Sequence, residues 1–273
     1  MNNIKCKRAN FEVILSMQED FCCTPKHNQK NWILNRALSE TADDLTALNH
    51  LCKKFIEGSV RPEIKGAQWH AEKASYKNEK QLIIDNQQVM QAWEAPYMRE
   101  MAEIVSKNKG DVLEIGFGMG ISATFIQDFG VKSHTIIEYN DDVIKFYDEW
   151  RKQYPSENIT LIKGKWQDVI NKLPSFDGVF FDSYPTSEEE YVKYVIEDVT
   201  YARHFFEAAY DHLHKGGIFT YYSNEIDSVS RRHQREIFKH FSEITFKVCK
   251  PLFPPFDCNY WWADSMVVIK AVK

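Results

Sequence analysis

Asp111-Val-Leu-Glu-Ile-Gly-Phe-Gly-Met-Gly-Ile121 is the stretch whose reading decides the fold. Val112, Leu113 and Ile115 form a short apolar run suited to a buried strand, and Gly116, Gly118 and Gly120 follow at alternate positions. Glycines so spaced permit positive φ and let the main chain approach a ligand closely. Residues 121–128 then read as a helix, whose first N–H groups face the loop and favour a polar or anionic ligand. A glycine triplet alone equally suits a tight turn. The pattern downstream adds to it: Thr135-Ile-Ile137 reads as a second strand ending in Glu138. An acidic residue about 20 positions after the glycines holds a ribose hydroxyl pair in nucleotide-binding βαβ units; the plain alternative is a surface glutamate.

Toward the C-terminus, strands are expected at 111–115, 134–138, 159–163, 177–182 and 216–222. Helices are expected near 119–130, 141–153, 188–213 and 228–242, with a short one at 165–172. This alternation predicts an α/β fold with a parallel sheet covered by helices on both faces. Ligands of such sheets gather at the carboxyl ends of the strands. Glu114, Glu138, Asp182 and Tyr221-Tyr-Ser-Asn-Glu225 all fall at or near those ends. Asp182, in Phe176-Asp-Gly-Val-Phe-Phe-Asp-Ser-Tyr-Pro185, reads either as a loop cap or as a site carboxylate. Trp166, in Lys163-Gly-Lys-Trp166, is placed to sandwich an adenine or to fill the core. The tail, with Ser265-Met-Val-Val-Ile-Lys-Ala-Val272, suggests a final hairpin strand, antiparallel at the sheet edge.

Toward the N-terminus, residues 87–107 read as a helix that Pro96 breaks or restarts. It carries Val89-Met-Gln-Ala-Trp-Glu-Ala-Pro-Tyr-Met98, where Glu94 is either a solvated charge or a functional one. The charged segment 61–80 holds two large rings, Trp69 and Tyr76, as surface anchors or as parts of a cover that excludes water from a pocket. Leu34, Leu38, Ala42, Leu45, Leu48, Cys52 and Phe55 form a helical stripe within 31–57, stopped by Gly58 and Pro62. It packs on the main domain or forms a subunit interface, which would make a homodimer through the N-terminal helices. Residues 1–31 are polar, with one short helix expected near Phe11.

At 273 residues the chain accommodates one large domain, or one domain with an appendage. Its 44% hydrophobic and 14% aromatic content excludes a disordered chain. A net charge of −5 gives no electrostatic reason to expect a nucleic-acid partner. No apolar run approaches the roughly 20 residues that span a bilayer, and no signal-peptide core opens the sequence. A soluble, cytoplasmic protein is expected. Six cysteines and nine histidines are scattered without zinc-ligand spacing, so no metal is expected and the thiols read as free.

Several stretches together resemble guanidinoacetate N-methyltransferases and their guanidino-methylating relatives among S-adenosylmethionine-dependent methyltransferases, over about residues 67–273. They are Val89–Met98, Leu113–Met119, Ile136-Ile-Glu-Tyr-Asn-Asp141, Lys163–Trp166, Phe176-Asp-Gly178 with Asp182-Ser-Tyr-Pro185, and Pro254-Pro-Phe-Asp-Cys258. The resemblance implies a Rossmann-like, seven-stranded class I methyltransferase sheet at 101–273. A lid and substrate-binding segment would lie at 67–100, and an N-terminal helical extension at 1–66. It implies that Gly116, Phe117, Gly118, Met119, Gly120 and Ile121 cradle S-adenosyl-L-methionine, that Glu138 binds its ribose, and that Gly164, Lys165 and Trp166 border its adenine. Met90 and Tyr76 would lie near the same cofactor, and Trp69 would form a lid. Glu94 and Asp182 would clasp the guanidino group, with Asp182 as main base, and Asn224 and Glu225 would grip the far end of the substrate.

Two carboxylates suit that task. A guanidinium is almost permanently protonated and a poor nucleophile, so an anionic pair must fix its plane and take its proton. Two departures stand out: some fifty extra residues ahead of Trp69, and a charged Asn224-Glu225 in place of an apolar residue and threonine. Glu225 would repel the carboxylate of guanidinoacetate and pair with an α-amino group. The expected substrate is therefore a small guanidino amino acid such as arginine. The alternatives are creatine-forming methylation of guanidinoacetate, a non-catalytic cofactor-binding subunit, and methylation of arginine inside proteins, for which no docking module is evident.

Overall fold

Parallel pairing begins where the sequence places its apolar runs. The computed structural model describes residues 62–65, 68–78, 80–255, 257–261 and 263–273. The helical stripe of 31–57 and the short helix near Phe11 lie outside the described residues. Ile64–Phe253 and Ser265–Lys273 form one compact unit, and Pro254–Asp264 belongs to a second. In that second unit the Cys258 amide donates to the Pro255 carbonyl at 2.9 Å.

The larger unit opens with a small antiparallel meander: β1 (Ala74–Lys77), β2 (Gln81–Ile84) and β3 (Gln87–Gln91). Here the structure corrects the sequence reading, because Gln87–Gln91 is a strand, not the start of a helix. Ile84 pairs with Gln87, so Asp85-Asn86 is a two-residue hairpin, with φ of 47° and 60°. Positive φ at both central residues is the twist-matched turn that Asn and Asp tolerate. The helix, α1 (Ala95–Val105), starts with Pro96 in its first turn and buries Tyr97, Met98, Met101, Ala102 and Val105.

The main sheet comprises β4 (Asp111–Ile115), β5 (Ser133–Glu138), β6 (Ile159–Lys163), β7 (Phe176–Phe181), β8 (Leu213–Tyr221), β9 (Glu243–Cys249) and β10 (Met266–Val272). These seven strands run in the order β6-β5-β4-β7-β8-β10-β9. The first five positions are parallel, and β10 is antiparallel to both β8 and β9. This is the seven-stranded, Rossmann-like arrangement expected. The tail strand is antiparallel as read, but it is inserted between β8 and β9; the edge is β9, whose mostly exposed residues gave no buried-strand signal.

Helices cover both faces. On one side, α1 packs so closely that a Cβ on Gly178 of β7 would lie 2.5 Å from the Val105 carbonyl. The same side carries α2 (Ile121–Asp128). On the other, Val179 and Phe181 join an apolar cluster with Phe205, Phe206, Ile237 and Phe241. Those side chains come from a 3-10 turn (Tyr201–Phe205), α6 (Phe206–Asp211), α7 (Arg231–Ile237) and the loop after it. Between β5 and β7 lie α3 (Asp141–Arg151) and the short α4 (Trp166–Val169). The long helix expected over 188–213 is broken. A short α5 (Glu188–Tyr191) passes into a π-helical segment (Val192–Ile196), and Thr200 then caps a new start by accepting from the Ala202 amide.

Candidate active site

Register alone brings four strand ends to one rim. Ile115 pairs with Ile137 on one side and Phe181 on the other, and Glu138 pairs with Lys163. Gly116, Glu138, Gly164 and Asp182 therefore surround a common opening. An open cleft lies there, about 630 Å³ when the solvent at its mouth is included. Its lining includes Trp69, Val89, Tyr139, Lys165, Trp166 and Tyr184 together with those four rim residues.

Gly116 is the tightest point. Its φ is +90°, and a Cβ would stand 2.1 Å from the Asp182 carbonyl oxygen. Gly118 (φ +55°) has the Met90 thioether against it, and Met90 Sδ accepts from the Met119 amide at 3.4 Å. Of the expected loop residues, only Gly116 and Gly118 line the cleft. The Phe117 ring turns inward, edge-on to Tyr147 and Trp150. Gly120, in the left-handed region, is the N-cap that starts α2 at Ile121.

Glu138 is held by three amides: Tyr139 and Asn140 donate to Oε1 at 2.7 and 2.9 Å, and Phe117 donates to Oε2 at 3.0 Å. A carboxylate oxygen accepts two hydrogen bonds, so Oε2 keeps one position for a hydroxyl donor from the cleft. Lys165 reaches over the Tyr139 ring, 5.4 Å from its centre, and donates to Thr186 Oγ1 at 2.9 Å. Trp166 lines the cleft and also packs edge-on against Phe205 at 4.8 Å, so the two readings of that ring are not exclusive.

Asp182 lines the cleft, and no hydrogen bond from the described residues reaches its carboxylate. Desolvation, aided by the negative Glu114 below it, pushes its pKa up to about 7. Glu114 itself is not a cleft residue. It is fully buried, taking a hydrogen bond from Ser122 Oγ and pairing with His134 Nε2 at 2.9 Å. Gln127 Nε2 lies 2.9 Å from His134 Nδ1, on the other side of the ring.

The remaining expected residues are dispersed. Trp69 is buried and stacked on Tyr184 (5.5 Å, 10° between planes) at the cleft wall. The Tyr76 hydroxyl donates to the Gly118 carbonyl at 3.4 Å, and its ring stacks on Phe146. Glu94 sits at the junction of β3 and α1, buried, with Oε1 accepting from the Gln91 amide at 2.7 Å; it is not among the residues that line the cleft with Asp182. Asn224 is exposed, in the left-handed region (φ 57°), and Glu225 Oε1 takes hydrogen bonds from the Ser230 amide and His233 Nδ1, both at 3.0 Å. Within Ser230–Arg235 the arginines form a solvated face, but His233 is fully buried.

The model of the family described as guanidinoacetate N-methyltransferase matches residues 60–273. The chain belongs to this family. Its catalytic unit is that of an S-adenosylmethionine-dependent N-methyltransferase. Among individual proteins, it is 42% identical over 120 residues to protein arginine N-methyltransferase 2 of Candida glabrata, covering 40% of this chain and 28% of that protein. To the protein of the same name from Saccharomyces cerevisiae it is 36% identical over 126 residues, covering 42% of this chain and 30% of the relative. The matched part is thus under a third of either relative. Among solved structures the chain is similar to a spermidine synthase from Thermotoga maritima, at 15% identity and a TM-score of 0.49 over 70% of this chain and 65% of that one.

The donor of this guanidinoacetate N-methyltransferase family fits the residues present. The rim glycines leave a cradle that any Cβ would fill, and Glu138 retains an acceptor for a ribose hydroxyl. The reading from sequence missed Tyr139, Thr186, Tyr184 and Tyr201, all of which line the cleft. Tyr139 was the most accessible of them, since it directly follows the strand-end glutamate. Gly116→Ala should lower affinity for S-adenosylhomocysteine at least about tenfold by isothermal titration, because left-handed strain and the Asp182 carbonyl both oppose the new methyl group. Binding equal to the native chain would show that the rim yields more easily than its geometry implies.

Proposed function

We propose that this chain N-methylates the guanidino group of arginine within a polypeptide, with S-adenosylmethionine as methyl donor. The observation that carries the chemistry is Asp182: a carboxylate opening on the donor cleft, without a protein hydrogen bond among the described residues, and poised near neutrality. Gly116, Gly118 and Glu138 are assigned to the donor, which supplies a methyl group on a positive sulfonium. Asp182 accepts N–H hydrogen bonds from the guanidinium and takes its proton as the new C–N bond forms. Glu94, with one oxygen engaged by the Gln91 amide, is assigned as the second anionic anchor. Trp69 and Tyr184 wall the cleft and keep water from the methyl group.

Two observations favour a polypeptide over a free amino acid. The similar proteins named above carry protein arginine in their names. The structural ground for a free amino acid also weakens, because the Glu225 carboxylate that would meet an α-amino group is engaged by His233 and Ser230 at the start of α7. The test is transfer of labelled methyl from S-adenosylmethionine to arginine-containing peptides, free arginine and guanidinoacetate. Peptides should be labelled and the two small guanidines at most weakly. Preference for either small molecule returns the assignment to that substrate.

The Asp182 carboxylate, not its acid form, binds the cation and accepts the proton. Since the guanidinium stays protonated throughout, log(kcat/KM) should climb about one unit per pH unit below about 7 and level off above it. A bound cation favours the ionised carboxylate, so the corresponding limb of kcat should lie at lower pH. Asp182→Asn should remove turnover while largely sparing donor binding; retained activity would exclude it as the base. Glu94→Gln keeps an oxygen for the Gln91 amide but loses the charge. KM for the guanidino substrate should rise about ten- to a hundredfold with an unchanged melting temperature. An unchanged KM would confine Glu94 to its local cap.

A further inference from the structure

Asn140 has no role in the chemistry described so far, yet it is fully buried and every polar atom of it is engaged. It follows Glu138 by two residues and caps α3: Oδ1 accepts from the Asp142 and Val143 amides at 3.0 and 3.1 Å. Its own amide N–H donates to Glu138 Oε1 at 2.9 Å. The side-chain Nδ2 donates both hydrogens away from the helix, to the carbonyls of Trp69 and Glu72, at 2.8 Å each. Neighbours in the same turn reinforce the seam. The Asp141 amide donates to the His70 carbonyl at 2.8 Å, Asp142 Oδ2 accepts from the Ala74 amide at 3.2 Å, and the Tyr139 hydroxyl lies 3.3 Å from His70 Nδ1.

We propose that Asn140 is a positioning residue that latches the Trp69 segment over the donor cleft and ties that closure to the seating of Glu138. The proposal rests on reading the cleft as the donor site. Only an amide serves here. The cap needs an acceptor on one branch, and the two lid carbonyls need two donors on the other. Aspartate has the same shape and caps a helix equally well, but it would present an oxygen to both lid carbonyls. Serine also caps, but it is too short to span to the lid. Both substitutions keep the helix start and remove the latch.

The test compares the native chain with Asn140→Asp and Asn140→Ser in three measurements: melting temperature, S-adenosylhomocysteine affinity by titration calorimetry, and trypsin cleavage read by mass spectrometry at the exposed Lys65, Lys73 and Lys77. In the native chain the ligand should bind and slow cleavage at these lysines. In both variants the melting temperature should stay within a few degrees of native. Cleavage at these three sites alone should accelerate at least about tenfold, ligand protection should be lost, and affinity should fall at least about tenfold. Asn140→Ser provides the reading if the buried charge of Asn140→Asp prevents folding. Native-like cleavage in a folded variant, with or without lost affinity, overturns the latch. Absence of binding by the native chain overturns the donor-site reading and the latch with it.

Discussion

The structure depends on the approach of two backbones at the centre of the sheet, where the chain leaving β4 at Gly116 passes the carbonyl of Asp182 at the end of β7. Parallel pairing of β4 with β5 and β7 fixes which residues reach that rim. The missing side chain at Gly116 fixes how near they come. The donor loop, Glu138 and Asp182 can share one opening because no Cβ stands between them. Had β7 been antiparallel to β4, its carboxyl end would lie at the opposite edge of the sheet, and the same residues would form no site.

Electrostatics follow from that proximity. Glu114 points to the α2 side of the sheet, where Ser122 Oγ donates to it and His134 Nε2 lies 2.9 Å away. Asp182 has no such partners among the described residues, and it bears the cost of burial together with the field of Glu114. Two carboxylates on neighbouring strands thus have different surroundings: one is held within the scaffold, the other opens on the cleft. The difference is position along the strand: Glu114 sits within β4 against α2, whereas Asp182 lies just past the end of β7, on the cleft rim.

The parallel strands were legible because each carries a short apolar run. β4 and β6 have the bounds read from sequence, and β5 and β7 differ by a residue. What was misread is equally physical. Gln87-Gln-Val-Met-Gln91 is composed largely of good helix formers, and pairing with β2 overrides that preference once Asp85-Asn86 turns the chain. The edge strand β9 exposes most of its side chains, so no hydrophobic pattern announces it. Asp182 and Glu138 were legible as strand-end carboxylates. What surrounds them was not: Glu114 reaches Asp182 from a neighbouring strand, and the Trp69 segment that Asn140 ties down beside Glu138 lies about seventy residues earlier, where no local spacing points to it.

The two carboxylates assigned to the guanidinium divide their work through their surroundings. A guanidinium needs one anion that stays put and one that can receive a proton, and the two demands conflict in a single group. Glu94 accepts from the Gln91 amide across a capping box that starts the 3-10 turn Ala92–Glu94 ahead of α1, so the backbone sets the position of one of its oxygens. Asp182 hangs from a strand end with no hydrogen bond to its carboxylate among the described residues, and its affinity for a proton is raised toward neutrality. Environments that separate two carboxylates in this way assign the roles of acid–base group and anchor more surely than sequence position does. On that ground the proposed mechanism takes Asp182 as the base and Glu94 as the anchor that would hold the plane of the cation.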